Sequence, residues 1–223
     1  MASADDVPRD GGARGRLIVA TARLLAVYGP SAIKVRAVAA EAGLSTMAVY
    51  SHFGGVPELT RAVIGHGFNT LDAAFAGVPV TNDPVADLAA MALTCRRVAH
   101  DSPHLYDLMF GLSTRATYRP LTCENRPGAA TPAFGSAYAH ILKACQRLVR
   151  SGRVRHQDPT IVAAQLWSLV HGFITLELAD TFAANDDAVR EVLIPLGINL
   201  SVGLGDSRER AALSHERAAK MLG

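Results

Sequence analysis

Apolar residues recur at the spacing of an α-helix almost from the start of this chain. Leu17, Ala20, Thr21, Leu24, Leu25 and Tyr28 fall at i, i+3, i+4, i+7, i+8 and i+11, which lines one face of a helix. Gly29-Pro30 ends that stripe. Val35, Val38, Ala39 and Ala42 predict a short second helix, Gly43 supplies a turn, and Ser45 is a suitable N-cap for a third helix running to about Phe53. Val49 and Phe53 share its inward face, which leaves Thr46, Met47, Tyr50 and Ser51 pointing elsewhere. Two short helices joined at a glycine form a helix-turn-helix. A longer fourth helix is expected from about Pro57 to Phe75, with Gly77 and Pro79 beyond it as a junction between domains.

Further along, a capping residue followed by proline recurs at Asp83-Pro84, Ser102-Pro103, Thr131-Pro132 and Asp158-Pro159. Proline's fixed φ and missing N–H suit the first helical position. The pattern predicts helices near residues 84–100, 103–111, 132–151, 159–183 and 187–203, with a long polar loop over 112–130. No run alternates strictly enough to call for a strand, so the chain reads as all-α. Its organisation is a flexible arm (1–13), a three-helix head (14–55), a larger helical domain entered through the fourth helix (56–205), and a tail (206–223) that is either frayed or a short helix.

Composition adds a size and a place. With 223 residues, nearly half of them apolar, the chain can bury a sizeable core. No apolar run was expected to reach the roughly 18 residues of a membrane span, and the N-terminus is polar, so no membrane role and a cytoplasmic location are expected. Cys95, Cys123 and Cys145 are odd in number and widely spaced, which fits neither a disulfide framework nor a zinc knuckle. Net charge is only +2, but it is uneven. Arg14, Arg16, Arg23, Lys34 and Arg36 face Glu41 alone between Gly11 and Gly55, whereas Val56–Gly205 holds twelve basic and thirteen acidic residues. A basic head on a near-neutral body is what a protein needs when one end meets phosphates and the other does something else.

The segment Leu17 to Leu59 closely resembles the DNA-binding head of the TetR family of regulators. The matching residues are the stripe of the first helix, Gly29 after it, Val35-Arg36-x-Val38-Ala39, Ala42-Gly43-Leu44-Ser45 at the turn, and Tyr50-x-His52-Phe53 closing the recognition helix. The resemblance implies an N-terminal helix-turn-helix bundle joined by a long fourth helix to a ligand-binding and dimerisation domain, acting on double-stranded operator DNA as a homodimer, usually as a repressor. A helix of about eight residues is marginal alone, so docking of Val49 and Phe53 must hold it and free the opposite face for the major groove. Thr46, Met47, Ala48 and Ser51 are candidates for base contacts, Tyr50, His52, Lys34 and Arg36 for phosphates, and Ser45 is a further DNA-binding candidate. Arg14 and Arg16, expected just before the first helix, form an arm or are solvated surface charges. Tyr50 and His52 have a structural alternative, packing against the first helix. Two positions depart from the family pattern: many members carry serine or threonine where Lys34 stands, and a lysine near Val56.

In the body, Ile161 to Leu178 is apolar on more than one face. Such a helix needs two partners, its own core and, in a small domain, the same helix of a second subunit, with Gly172 permitting close approach. Trp167 with His171-Gly172, preceded by Pro103-x-Leu105-Tyr106-x-Leu108-Met109-Phe110, resembles the tryptophan-histidine-glycine subclass of TetR C-terminal domains. That implies an apolar small-molecule effector. Met91, Cys95, Tyr106, Met109, Phe110, Tyr138, Leu142, Trp167 and His171 are the candidate pocket residues, since methionine and amphipathic aromatics suit an adaptable apolar cavity; each has plain core packing as its alternative, and His171 the satisfaction of a buried carbonyl. No cofactor is implied. Two rivals remain. Catalysis lacks a GxSxG elbow, a phosphate loop or an HExxH helix. A metal- or thiol-responsive regulator has eight histidines and three cysteines to draw on, but His100 and His104 straddle the Ser102-Pro103 break.

Overall fold

The computed structural model describes residues 12–110 and 132–222. Within them the chain is helical throughout, with no strand among the described residues. In order the helices are α1 (Ala13–Tyr28), α2 (Val35–Glu41), α3 (Thr46–Phe53), α4 (Val56–Ala76), α5 (Pro84–Asp101), α6 (Pro103–Phe110), α7 (Pro132–Arg150), α8 (Pro159–Leu178), α9 (Ile194–Leu204) and α10 (Arg208–Leu222). The expected polar loop over 112–130, Cys123 and almost all of the N-terminal arm lie outside the described residues.

Residues 12–67 and 104–110 make one compact unit. Leu17, Ala20, Thr21 and Leu25 of α1 are buried as the stripe predicts, and Val38, Val49, Leu59 and Val63 are fully enclosed. Tyr28, the last residue of α1, stands out to solvent instead. The expected domain boundary at the start of α4 is displaced: the division falls inside that helix, and α6 belongs with the head. The packing explains why. A Cβ on Gly67 of α4 would lie 2.5 Å from Sδ of Met109 on α6, and His104 of α6 sits 3.8 Å from where a Cβ of Gly29 would be. The missing side chain of Gly67 thus lets α6 lie against α4.

Residues 68–103 and 132–222 form the second unit. Asp83 caps α5 by accepting from Ala86 N at 3.2 Å, and Asp158 caps α8 by accepting from Thr160 N at 2.8 Å, each followed by proline. Helix α8 ends at Leu178, five residues earlier than expected, and the chain turns through Asp180 at φ 54°. A π-type turn over Val189–Leu193 leads into α9, whose second residue, Pro195, has no N–H to give the helix ladder. The expectation that no stretch is long enough to cross a membrane is corrected by α8, which has the length and apolar composition to do so. Its polar Thr160, Gln165, Ser168, His171, Thr175 and Glu177 are outweighed by the apolar remainder, and it packs on α5, α7 and α9. Ile161, Ala164, Gln165, Ser168, Gly172 and Leu176 make one exposed face along it.

The tail is a fifteen-residue helix, α10, laid along α5 and α9. An ionic cluster fixes it. Arg153, itself buried, donates from Nη2 to Asp206 at 2.6 Å and from Nη1 to Asp83 at 2.5 Å. Asp83 also accepts from Ser214 Oγ at 2.8 Å and from Arg217 at 3.1 Å. Burial alone would favour the neutral acid at Asp83, but these hydrogen bonds, the α5 N-terminal amide and the two guanidinium charges hold it below its ordinary value. Nearby, Arg147 donates to the buried Asp87 at 2.7 Å.

Candidate nucleic-acid interface and effector cavity

In the head, α3 is held by one face and free on the other. Val49 and Phe53 are buried, and Gly54 ends the helix in the left-handed conformation at φ 72°. Thr46, Met47, Tyr50, Ser51 and His52 are exposed, with Met47 at 69% and Tyr50 at 51%. That exposure speaks against the packing alternative for Tyr50 and His52. Ala48 is half-buried and supplies its carbonyl to Ser51 Oγ. Ser45 occupies the N-cap position, but its side chain makes no capping bond; its carbonyl accepts from Ala48 N at 3.0 Å. The hydroxyl therefore remains available to a ligand outside the helix.

Lys34, at the N-cap of α2, and Arg36 are both exposed. Arg14 and Arg16 are corrected in position: α1 begins at Ala13, with Arg16 N bonded to Gly12 O at 3.2 Å, so both lie in the first turn of a helix and not in an arm before it. Arg14 is placed by a contact that sequence could not show. Its guanidinium lies 5.1 Å from the centre of the Phe53 ring, tying the start of α1 to the end of α3. At the start of α4, Val56 and Pro57 offer no charge, but the first-turn carbonyl of Gly55 accepts from Leu59 N in ordinary helical fashion.

In the second unit, α4, α5, α7 and α8 line a small apolar pocket that is partly open to solvent. Leu88, Met91, Ala92 and Cys95 of α5 line it at i, i+3, i+4 and i+7. Phe75 of α4, Ile141 of α7, and Leu166, Trp167 and Val170 of α8 complete the wall. Of the expected pocket residues, Met91, Cys95 and Trp167 therefore meet at the cavity. Tyr138 and His171 stand behind Trp167, with ring centres at 5.5 Å and 4.0 Å, and Phe134 packs edge-on to the same indole. Leu142 is half-buried beside Ile141 and does not line the space. Tyr106, Met109 and Phe110 belong to the other unit, where Tyr106 and Met109 are buried and Tyr106 packs on Phe110.

Electrostatics keep this region neutral. Nε2 of His171 is sealed from solvent, and burial lowers its pKa to about 3. Burial likewise pushes the Cys145 thiol up to about 12, far from the thiolate a redox sensor needs. The nearest charges pair among themselves: Glu177 of α8 accepts from Arg96 Nε at 2.8 Å and lies 2.8 Å from His100 Nε2. Burial opposes ionisation of Glu177, but those two partners outweigh it and hold the carboxyl below its usual range. With His100 engaged there, no cluster of three metal-ligating side chains exists among the described residues.

Two family models match the chain and together span about two thirds of it: bacterial regulatory proteins of the tetR family over residues 17–63, and the tetracyclin repressor-like C-terminal domain over residues 88–194. Among solved structures, a protein of unknown function from Rhodococcus sp. RHA1 superposes with a TM-score of 0.71 at 23% identity, over 91% of this chain and all of that one. RolR in complex with its ligand resorcinol gives 0.64 at 18% identity, over 93% of each chain. CprB, a TetR family protein from S. coelicolor A3(2), gives 0.61 at 17% identity, over 94% of this chain and 97% of its own. No curated protein matches the sequence significantly.

Proposed function

The chain belongs to the TetR family of transcription regulators, with a DNA-binding head and a ligand-binding C-terminal domain, and we propose that it is a cytoplasmic repressor that leaves a palindromic operator when an apolar small molecule enters the cavity of the second unit. The observation that carries this is the pairing of a recognition helix exposed along Thr46, Met47, Tyr50 and Ser51 with a separate apolar cavity under Trp167. Thr46, Met47, Ala48, Ser45 and Ser51 read base edges; Tyr50, His52, Lys34 and Arg36 meet phosphates. Arg14, stacked on Phe53, and Arg16 add backbone contacts from the first turn of α1.

A homodimer is supported by α8. Ile161 and Leu176 are 54% and 48% exposed on the face that also carries Gly172, and Leu196 of α9 is exposed as well. A second copy covers that face and sets two recognition helices about one DNA turn apart. The resorcinol complex of RolR supports a small organic ligand on this fold.

Operator binding is measured by fluorescence anisotropy on an inverted repeat taken from beside the gene. Six or more phosphate contacts per dimer make affinity fall roughly 10³-fold or more between low and physiological salt. Lys34→Ala and Arg36→Ala weaken binding across sequences and flatten the salt slope, whereas Thr46→Ala and Met47→Ala change sequence preference. Affinity indifferent to salt, or unchanged by all four substitutions, refutes the assignment.

A further inference from the structure

Residues three and four apart share a helix face, and on α3 Val49 and Phe53 occupy the buried one. The stripe opposite them is Met47, the half-buried Ala48 and Ser51, with Tyr50 and His52 at its two edges. Met47, at 69%, is more exposed than Tyr50 at 51%. Ser45 and Thr46 open the helix with one hydroxyl each.

The chemistry of that stripe restricts what it can read. In the major groove guanine presents N7 and O6 to the forked donors of arginine or lysine, and adenine presents N7 and N6 to an asparagine or glutamine amide. From Ser45 to Ser51 there is no arginine, lysine, asparagine or glutamine. Ser51 Oγ donates its one proton to Ala48 O at 3.1 Å, so toward a base it offers lone pairs. A guanine beneath the stripe would shed water from N7 and O6 and meet no donor there, which costs affinity. At the centre of the stripe stand the thioether arm of Met47 and the methyl of Ala48. These match the one apolar feature of the groove, the 5-methyl group of thymine, and methionine's three rotatable bonds adapt it to reach that methyl. The lone pairs of Ser51 suit the N6 amine of an adenine.

We propose that α3 identifies its operator through thymine 5-methyl groups at A·T pairs, with Met47 as the principal reader and Ala48 beside it. This rests on the operator-binding assignment, and the test separates the two. The full-length protein first selects duplexes from a randomised pool. The selected duplex is then remade with deoxyuridine in place of each thymidine in turn, which removes the methyl and leaves the base pair, and affinity is read by fluorescence anisotropy. Met47→Ala and Met47→Gln are titrated in parallel; both place a good helix former at an exposed position, and circular dichroism checks their helicity. Burial of one methyl corresponds to roughly a fourfold change in affinity. At one or more thymines of each half-site the loss should be about fourfold for the native protein and under about twofold for either variant. A loss under about twofold at every thymine, or equal losses in the native protein and the folded variants, overturns the methyl readout and leaves specific DNA binding in place. A pool that yields no preferred sequence overturns the operator assignment and this inference together.

Discussion

Replacing Arg153 by methionine tests how the tail helix is held. In the native protein the guanidinium has a side-chain exposure of 8% and bridges Asp206, at 0%, and Asp83, at 12%. Methionine keeps most of the length and removes the charge. Asp206 then retains only Ser207 N at 2.9 Å and the exposed Arg210 at 3.9 Å, while Asp83 keeps Ser214, Arg217 and the Ala86 amide. The damage therefore falls mainly on Asp206. Breaking a buried ion pair by removing one partner costs about 3–5 kcal/mol, a large share of the roughly 5–15 kcal/mol by which domains are stable. Urea unfolding of the full-length protein, at fixed protein concentration, should show a loss of that order. Arg153→Met with Asp206→Asn should recover part of it, because the stranded charge is gone. A loss under about 1 kcal/mol, or no recovery in the double variant, would show that water reaches this cluster and that the buried-pair argument fails.

Gly172→Glu puts a carboxylate on the outward face of α8 and should abolish the dimer in light scattering together with operator binding; loss of one without the other separates the two functions. The imidazole of His171, with a folded pKa near 3, is protonated in the unfolded chain below about pH 6.5, so stability should fall as pH drops from 6.5 toward 3, by up to a few kcal/mol, and His171→Gln should flatten that slope. Trp167 is the sole tryptophan, so an effector that releases DNA should shift or quench its emission over the same concentrations, and Trp167→Phe should remove the signal while helicity is unchanged; DNA release with a silent Trp167 would place the effector elsewhere.

The head was the part most legible in the sequence, because its logic is local. Leu17 to Leu25 at helical spacing, Gly43 in the turn, and Val49 with Phe53 on one face of α3 all declare themselves within a few residues. The cavity was half legible. Met91, Cys95 and Trp167 were found by their chemistry, but the aliphatic lining was missed, although Leu88, Met91, Ala92 and Cys95 carry the i, i+3, i+4, i+7 signature of one helix face. Tyr106, Met109 and Phe110 looked alike in chemistry, yet nothing in their spacing says which unit α6 joins. That was decided by Gly67, whose missing side chain makes room for Met109. The tail was the least legible. Residues 206–223 are charged and alanine-rich, and what fixes them are pairings 53 and 131 positions apart in sequence, Asp206 with Arg153 and Ser214 with Asp83.

Helix α10 touches one more place. A Cβ at Gly197 of α9 would lie 2.3 Å from Nε2 of His215, whose Nδ1 is bonded to Ala211 O at 2.8 Å and whose ring is nearly enclosed. A side chain at position 197 therefore requires a shift of the imidazole or a smaller residue at position 215. Since Leu196 next door faces outward, the tail helix acts as the back-plate of the surface proposed to receive the second copy, and a genetic screen for assembly defects would return changes at His215, far along the chain from the face they spoil.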